Sequence, residues 1–237
     1  MGAAERVLGP LVAANNARIG RRSLDRSATN PRPLEDFPWT QALERGAPAI
    51  RAEWDAFRDA GGQLPRIEDV VDEDQGNDGP WRMGMLVHQR RPVGLAPRFP
   101  ETMALLEGIP GLWSALFSVL EPGTELPEHV GPNAGVLRYH LGIDCPPDTA
   151  LRVDGTTVPY RDGQSILFDD TALHAAWNRS DRTRTTLFCE VLRPLPTPAH
   201  LANVAMQSIL GLDPRYRVIP DRAKAWDLAL NGPAPRT

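Results

Sequence analysis

The spacing of apolar residues changes about halfway along this 237-residue chain. In the first half, and again near the C terminus, apolar positions recur three or four residues apart, which is typical of amphipathic helices. These patterns predict helices over residues 8–19, 40–60, 100–109 and 199–212. Pro100 suits the first turn of its helix, because a proline there gives up no intrahelical hydrogen bond. A polar tail is expected after the last of these helices.

The segment from residue 113 to residue 196 has a different pattern. Short runs rich in β-branched and aromatic residues are separated by turn pairs, among them Asp154-Gly155 and Asp162-Gly163. Several short strands at this spacing predict a β-sandwich or a jelly-roll barrel. We therefore expect one domain over residues 1–237. Its parts are a mostly helical or irregular segment over 1–112, a β core over 113–196, and a C-terminal helix and tail over 197–237.

Composition narrows the range of partners. The chain is 41% hydrophobic and 24% charged, as in ordinary globular proteins, and its net charge of −4 gives no basic footprint for nucleic acid. No apolar run approaches the ~20 residues that cross a bilayer, and the N terminus lacks the layout of a secretory signal. A cytoplasmic protein with no membrane partner is expected. Cys145 and Cys189 are too few for a disulfide framework, and Cys189 is expected to be a buried, reduced thiol.

Strand alternation gives the run over residues 135–143 two unlike faces. Val136, Arg138 and His140 share one face, whereas the other face is uniformly apolar and suits packing against helices. Alternation in a later run likewise turns Arg184 inward. A buried arginine is costly unless it binds an anion, so two inward arginines on separate strands predict an anion site. A carboxylate is the expected anion, because guanidinium binds it through two parallel hydrogen bonds.

Two histidines flank these arginines in the sequence, and they allow two interpretations. His129 precedes the first strand, and His174 lies in the segment FDDTALHAAW. Structural histidines are one interpretation; the other is a metal site, for which Fe, Zn, Cu and Ni all suit imidazole. Gly131 stands two residues after His129, where the common iron site has an aspartate or glutamate ligand.

From about residue 78 to residue 196, the chain resembles the aspartyl/asparaginyl β-hydroxylase family of 2-oxoglutarate-dependent non-haem iron oxygenases. The matching segments are FPET at 99–102, EPGTELPEHVGPNAGVLRYHLGI at 121–143 and GQSILFDDTALHAAWNRSDRTRTTLFCEVLRP at 163–194. They cover roughly half of the chain with their order intact. The resemblance implies a mainly β fold with flanking helices, built on a double-stranded β-helix core of the jelly-roll or cupin type.

The resemblance also implies an iron site with only two protein ligands. His129 and His174 correspond to the ligand pair, and Gly131 to the glycine that replaces the usual carboxylate. Asp170 takes the position of a carboxylate that orients water in the vacant iron position. Its neighbour Asp169 is expected to lie in a solvated turn.

The cosubstrate site follows from the same correspondence. Ser118 and Arg184 match the pair that binds the distal carboxylate of 2-oxoglutarate. Arg138 and His140 match residues that hold the cosubstrate beside the metal, although a structural orienting role for His140 stays open. The implied cofactors are Fe(II), 2-oxoglutarate and O₂. The implied enzyme is a dioxygenase that hydroxylates an unactivated C–H bond, by family habit a β-carbon, and releases succinate and CO₂.

The substrate is expected to be an amino acid, a peptide or a biosynthetic intermediate. Relatives that act on EGF-like domains have an arginine where this chain has Val136, which argues against such domains. His88 and Arg91 lie on a segment that resembles part of the family's substrate wall, with a solvated basic turn as the alternative. Three other functions stay open: a non-catalytic dicarboxylate-binding β-barrel, a halogenating variant of the same oxygenase chemistry, and another cupin-like metal enzyme.

Overall fold

The computed structural model describes residues 3–20, 29–71 and 79–234 of the chain. Its helices, apart from two short 3₁₀ turns, are α1 (Ala3–Gly20), α2 (Thr40–Asp59), α3 (Ile67–Val70), α4 (Pro100–Leu106), α5 (Thr197–Leu210), α6 (Pro214–Arg217) and α7 (Ile219–Asn231). Its strands are β1 (Trp81–His88), β2 (Arg91–Pro92), β3 (Leu112–Leu120), β4 (Glu125–His129), β5 (Val136–Asp144), β6 (Thr149–Val153), β7 (Thr156–Pro159), β8 (Ser165–Phe168), β9 (His174–Asn178) and β10 (Arg184–Leu192).

The strands form two antiparallel sheets. The larger has the order β2-β1-β3-β10-β5-β8, and the smaller has the order β4-β9-β6-β7. Apolar side chains from β6, β8 and β9 pack together, so the two sheets face each other across a common interior. The fold is therefore mainly β with flanking helices, a jelly-roll of the cupin type, and the predicted fold class is confirmed.

Helices α2 and α4 cover the outer face of the larger sheet. Their side chains and the outward-facing residues of β3, β5 and β10 form the main hydrophobic core. Tyr139 and its alternate neighbours on β5 belong to this core, as alternation predicted. Trp54, Phe99 and Phe117 form its centre, with ring centroids 4.7–4.8 Å apart between Phe117 and each of the other two. The opposite face of the sheet is thereby left for the site.

Turn chemistry fixes the hairpin between β6 and β7. Asp154 and Gly155 both have positive φ, 49° and 78°, as a two-residue turn of type I′ requires. The predicted turn is confirmed. Cys189 is fully buried and both cysteines are free thiols, as expected.

Two parts of the chain differ from the sequence-based expectation. The larger sheet takes in β1, which lies ahead of the expected β core. The polar tail expected after residue 212 instead forms α6 and α7. Ile219 and Ala223 of α7 pack on Met83 and Met85 of β1, so a few well-spaced apolar residues suffice to hold a polar helix on the sheet. No helix of the described segments combines the length and apolar character needed to cross a bilayer.

Removing Phe117, the central ring of the main hydrophobic core, tests the packing of α2 and α4 on the larger sheet. Phe117→Ala should lower the free energy of unfolding by about 3–5 kcal/mol, because the cavity lies between two fixed rings. Urea unfolding followed by circular dichroism measures the loss. Leu228→Ala is the control, since Leu228 is exposed on α7 and should change stability by less than about 0.5 kcal/mol. Equal midpoints for the two variants would contradict the assigned core.

Candidate active site

The two predicted metal ligands face each other across neighbouring strands. His129 ends the edge strand β4 and pairs with His174 at the start of β9, and their ring centroids are 4.1 Å apart. Each Nδ1 lies within hydrogen-bond distance of the carbonyl two residues earlier, Pro127 at 2.8 Å and Ala172 at 2.9 Å. Because a carbonyl only accepts, each Nδ1 carries the proton and each Nε2 keeps its lone pair. Both rings are thus prepared to bind one metal ion through Nε2.

The environment of His174 keeps its ring neutral. Burial is the main cause that lowers the pKa of His174, and the neighbouring His129 lowers it further against the opposing effect of Asp170. A neutral imidazole is the form that binds a metal. Within residues 3–20, 29–71 and 79–234, no three His, Cys, Asp or Glu side chains cluster as a metal site. His129 and His174 stay the predicted metal ligands.

Asp170 explains the glycine at position 131. The Gly131 amide donates to the Asp170 carbonyl over 2.6 Å, and a Cβ added at Gly131 would collide with the Asp170 carboxylate. Asp170 thus fills the space that a side chain at 131 would need. Its Oδ2 accepts from Arg138 Nε at 2.7 Å, whereas its buried Oδ1 has no partner. That free oxygen can accept a hydrogen bond from a ligand or a water.

Arg138 lies between two carboxylates in the barrel interior. It bonds to Asp170 on one side and to Glu190, its cross-strand neighbour on β10, on the other. Burial alone would raise the pKa of Glu190, but Arg138 and the Ser114 hydroxyl hold that pKa below its usual range. The contacts show Arg138 positioning Asp170. Its role in holding a cosubstrate stays a prediction.

Arg184 is buried without a carboxylate. It is 1% exposed, its Nη1 donates to Thr186 Oγ1 at 2.7 Å, and its guanidinium lies 4.7 Å from the Tyr160 ring centre. Its Nε has no hydrogen-bond partner, and no acidic group of the described residues forms an ion pair with it. A buried cation without a counter-ion is strongly unfavourable. This end of the interior therefore suits an anion.

His140 supplies a second unpaired donor there. Its Nδ1 is 2.8 Å from the Tyr160 hydroxyl, and its buried Nε2 has no partner. Burial, with Arg184 and Arg138 next in effect, holds the pKa of His140 well below its usual value, so the ring is neutral. Burial raises the pKa of Tyr160 to about 12, so its hydroxyl is protonated and can donate to Nδ1. The proton of His140 then lies on Nε2, ready to donate to an anion.

Ser118 and a set of aromatic rings complete the interior. Ser118 of β3 is buried and pairs with Thr186 of β10, and its hydroxyl accepts a hydrogen bond from Trp81 Nε1 at 3.0 Å. Phe168 contacts both His140 and His174, with ring centroids 5.2 and 5.5 Å apart. The anion end and the imidazole pair therefore belong to one continuous site with an aromatic wall.

The residues predicted for substrate contact lie toward the end of the barrel away from Arg184. Val136 is buried with Trp113 and Leu192. His88 is buried at the end of β1, with Nε2 3.1 Å from the Tyr216 carbonyl, and burial lowers its pKa despite nearby Glu190. Arg91 is exposed on β2. The substrate roles of Val136, His88 and Arg91 stay predictions.

Sequence reasoning missed three residues and misjudged one. Tyr160, Glu190 and Trp81 each bond to a predicted site residue. Extending the alternation from Arg184 along β10 by six residues would have found Glu190. Asp169 was expected in a solvated turn, but its carboxylate bonds to Arg32 and Arg193. That expectation was wrong because both partners are distant in sequence.

The site thus combines two neighbouring imidazoles with a buried guanidinium in a jelly-roll barrel, a combination that suits a metal ion and an anion. A model of the Aspartyl/Asparaginyl beta-hydroxylase family matches residues 44–194, which is more than half of the chain. The chain therefore belongs to this family of hydroxylases.

Individual relatives agree with the family. An ornithine lipid ester-linked acyl 2-hydroxylase from Rhizobium tropici is 35% identical over 200 residues, covering 81% of this chain and 70% of the relative. The human aspartyl/asparaginyl beta-hydroxylase is 28% identical over 188 residues, which are 73% of this chain but 25% of that protein. Among solved structures, a predicted oxalate decarboxylase from Thermotoga maritima matches 55% of this chain and 92% of its own, with a TM-score of 0.37 and 18% identity.

A methyl group at position 131 tests the fit between Gly131 and Asp170. Gly131→Ala should displace the Asp170 carboxylate and weaken its bond to Arg138, destabilising the protein by about 1–3 kcal/mol. Thermal unfolding measures this effect. Gly9→Ala is the matched control, because a Cβ at Gly9 meets no atom within 4 Å. If Gly131→Ala is as stable as Gly9→Ala, Asp170 does not fill this space.

Proposed function

We propose that the protein is an Fe(II)- and 2-oxoglutarate-dependent hydroxylase. The observation that carries the proposal is the pair of buried nitrogens without a partner, Arg184 Nε and His140 Nε2, close to two facing imidazoles. Of these imidazoles, His174 is buried and His129 is exposed at the rim. A dicarboxylate needs such donors, and a transition metal needs such imidazoles. A binding module would need only the first of these features.

Each residue has a distinct task in this proposal. His129 and His174 would hold the iron, and Arg184 with Ser118 would bind the distal carboxylate of 2-oxoglutarate. Iron with 2-oxoglutarate and O₂ supplies the oxidation of an unactivated C–H bond, with succinate and CO₂ as products. His140 would donate from Nε2 to the bound anion.

The remaining interior residues orient these groups and keep water out. Arg138 and Glu190 fix the orientation of the Asp170 carboxylate, so that its free Oδ1 points in one direction. That oxygen could orient a water that takes the place of the carboxylate ligand missing at Gly131. Phe168 and Phe188 both pack against His140. A site walled by rings excludes bulk water, which strengthens the electrostatic interactions inside it.

We propose an ester-linked acyl chain of an amino-acid-containing lipid as the substrate, hydroxylated at C2. The relative named as an ornithine lipid ester-linked acyl 2-hydroxylase supports this, and it narrows the earlier expectation of an amino acid, a peptide or a biosynthetic intermediate. The rim of the site also suits an aliphatic chain. Val130 directly follows His129 at the end of β4, and Leu173 directly precedes His174 at the start of β9; they are 59% and 50% exposed.

Loss of one imidazole tests the catalytic role of the pair. His174→Ala should abolish succinate formation from 2-oxoglutarate in the presence of Fe(II), O₂ and ornithine lipid, because a single remaining imidazole cannot hold the iron. Mass spectrometry of the lipid should show the gain of one oxygen atom with the unmodified protein only. His200→Ala, on α5, is the control and should retain turnover. Undiminished turnover by His174→Ala would exclude the ligand role, and oxygen gain by a peptide instead would exclude the lipid substrate.

Replacement of Arg184 distinguishes its role in 2-oxoglutarate binding from its effect on the stability of the fold. Arg184→Leu should raise the KM for 2-oxoglutarate by more than about thirtyfold, since a buried charge pair to the substrate is lost. The ligand-free variant should be at least as stable as the unmodified protein, because an uncompensated buried cation is removed. Arg184→Lys keeps the charge without the forked geometry and should fall between the two. An unchanged KM in Arg184→Leu would contradict the anion site.

A further inference from the structure

Helix α5 is packed with its polar side inward. Asn203 donates to the Gly135 carbonyl at 2.8 Å, and Gln207 accepts from Asn133 at 2.7 Å. Both side chains are buried, and they hold the loop that leads from the imidazole pair into β5. Polar hydrogen bonds, not apolar contacts, therefore dominate this side of the helix.

The outer side of α5 is apolar. Leu201, Ala205 and Ile209 follow at intervals of four residues, and Leu212 continues the same stripe just past the helix end. Leu201 is 63% exposed and Leu212 is 70% exposed. The segment 197–212 contains no Asp, Glu, Lys or Arg. A surface helix normally presents charged residues to water, so this stripe indicates a binding surface.

Basic residues lie at the C-terminal end of the stripe. Arg90, Arg91 and Arg217 are exposed, and no ion pair joins any of them to an acidic group among the described residues. The Gln89 side chain lies against Gly211, where α5 ends, so the Arg90 turn adjoins the helix. Arg91 pairs with His88, whose ring contacts the carbonyl of Tyr216, next to Arg217. The three guanidinium groups thus belong to one edge of the apolar stripe.

The same helix covers the end of the barrel that is predicted for the substrate. Val204 of α5 packs against Val136, Trp113 and Leu192, which line the end of the barrel away from Arg184. The exposed stripe and this apolar end of the barrel therefore lie on two sides of α5.

We propose that the α5 surface, made of Leu201, Ile209, Leu212, Arg90, Arg91 and Arg217, docks the protein on a bilayer of anionic phospholipid. An apolar helix face with flanking arginines binds at such an interface by burying the apolar side chains among the acyl chains and pairing the cations with headgroups. In a symmetric dimer through the same surface, the arginines of one copy would face those of the other, whereas anionic headgroups offer them the opposite charge. The inference adds to the proposed function the place where the substrate is met, and it is tested without turnover.

Vesicle sedimentation with the metal-free full chain tests the proposal. The protein should sediment with vesicles of phosphatidylcholine and phosphatidylglycerol, and much less with phosphatidylcholine alone. Leu201→Asp with Ile209→Asp should weaken binding by at least about tenfold. Arg90→Gln, Arg91→Gln and Arg217→Gln combined should weaken it by about a hundredfold, at about fivefold per arginine. Leu228→Asp is the matched control on α7, exposed to a similar degree as Leu201, and should bind like the unmodified protein.

Each outcome decides the proposal. Absence of binding to anionic vesicles, or equal binding by the α5 variants and Leu228→Asp, overturns it, provided that circular dichroism shows all variants folded. A concentration-dependent dimer that Leu201→Asp dissociates would assign the surface to a second copy and also overturn it. Vesicle binding without any succinate formation would leave the docking surface in place and reject only the hydroxylase.

Discussion

The charge on Arg184 is the constraint on which the interior depends. A guanidinium at 1% exposure, with no carboxylate partner among the described residues, lowers the stability of the protein. Strand pairing holds it in place: Arg184 pairs with Leu120 of β3, and the next residue, Thr185, pairs with β3 and β5. The side chain therefore cannot turn outward without a change of register. A carboxylate that enters meets donors already in position, so little conformational entropy is lost on binding.

The second arginine has the opposite situation. Arg138 is neutralised by Asp170 and Glu190, and the three groups form a rigid unit at the centre of the barrel. One arginine thus has no carboxylate partner among the described residues, while the other organises the protein's own carboxylates. Gly131 belongs to the same unit, because Asp170 leaves no room for a side chain there. The glycine and the aspartate are therefore best understood as one structural pair.

Much of this arrangement could be predicted from strand alternation, since a period of two decides which side chains point inward. The inward faces of β5 and β10 are as predicted. The partner of His140 was harder to foresee, because Tyr160 lies just after β7 of the other sheet and no sequence pattern places it against His140. Periodicity also predicted α5 as a helix without showing which side is buried. There, specific bonds to Asn133 and Gly135 outweigh the usual preference for an apolar inner face.

The place of His129 on the outermost strand of the smaller sheet has a mechanical consequence. Strand β4 is mostly exposed and pairs with β9 alone among the described strands. Its other polar contacts are exposed ion pairs of Glu125 with Arg179 and of Glu128 with Arg152, which contribute little stability. A metal ion shared by His129 and His174 would cross-link this edge strand to β9. Removal of the ion by a chelator would then unfold residues 125–129 locally while the aromatic core stays folded. Occupancy of the site by the ion would thus set the local stability of this edge of the barrel.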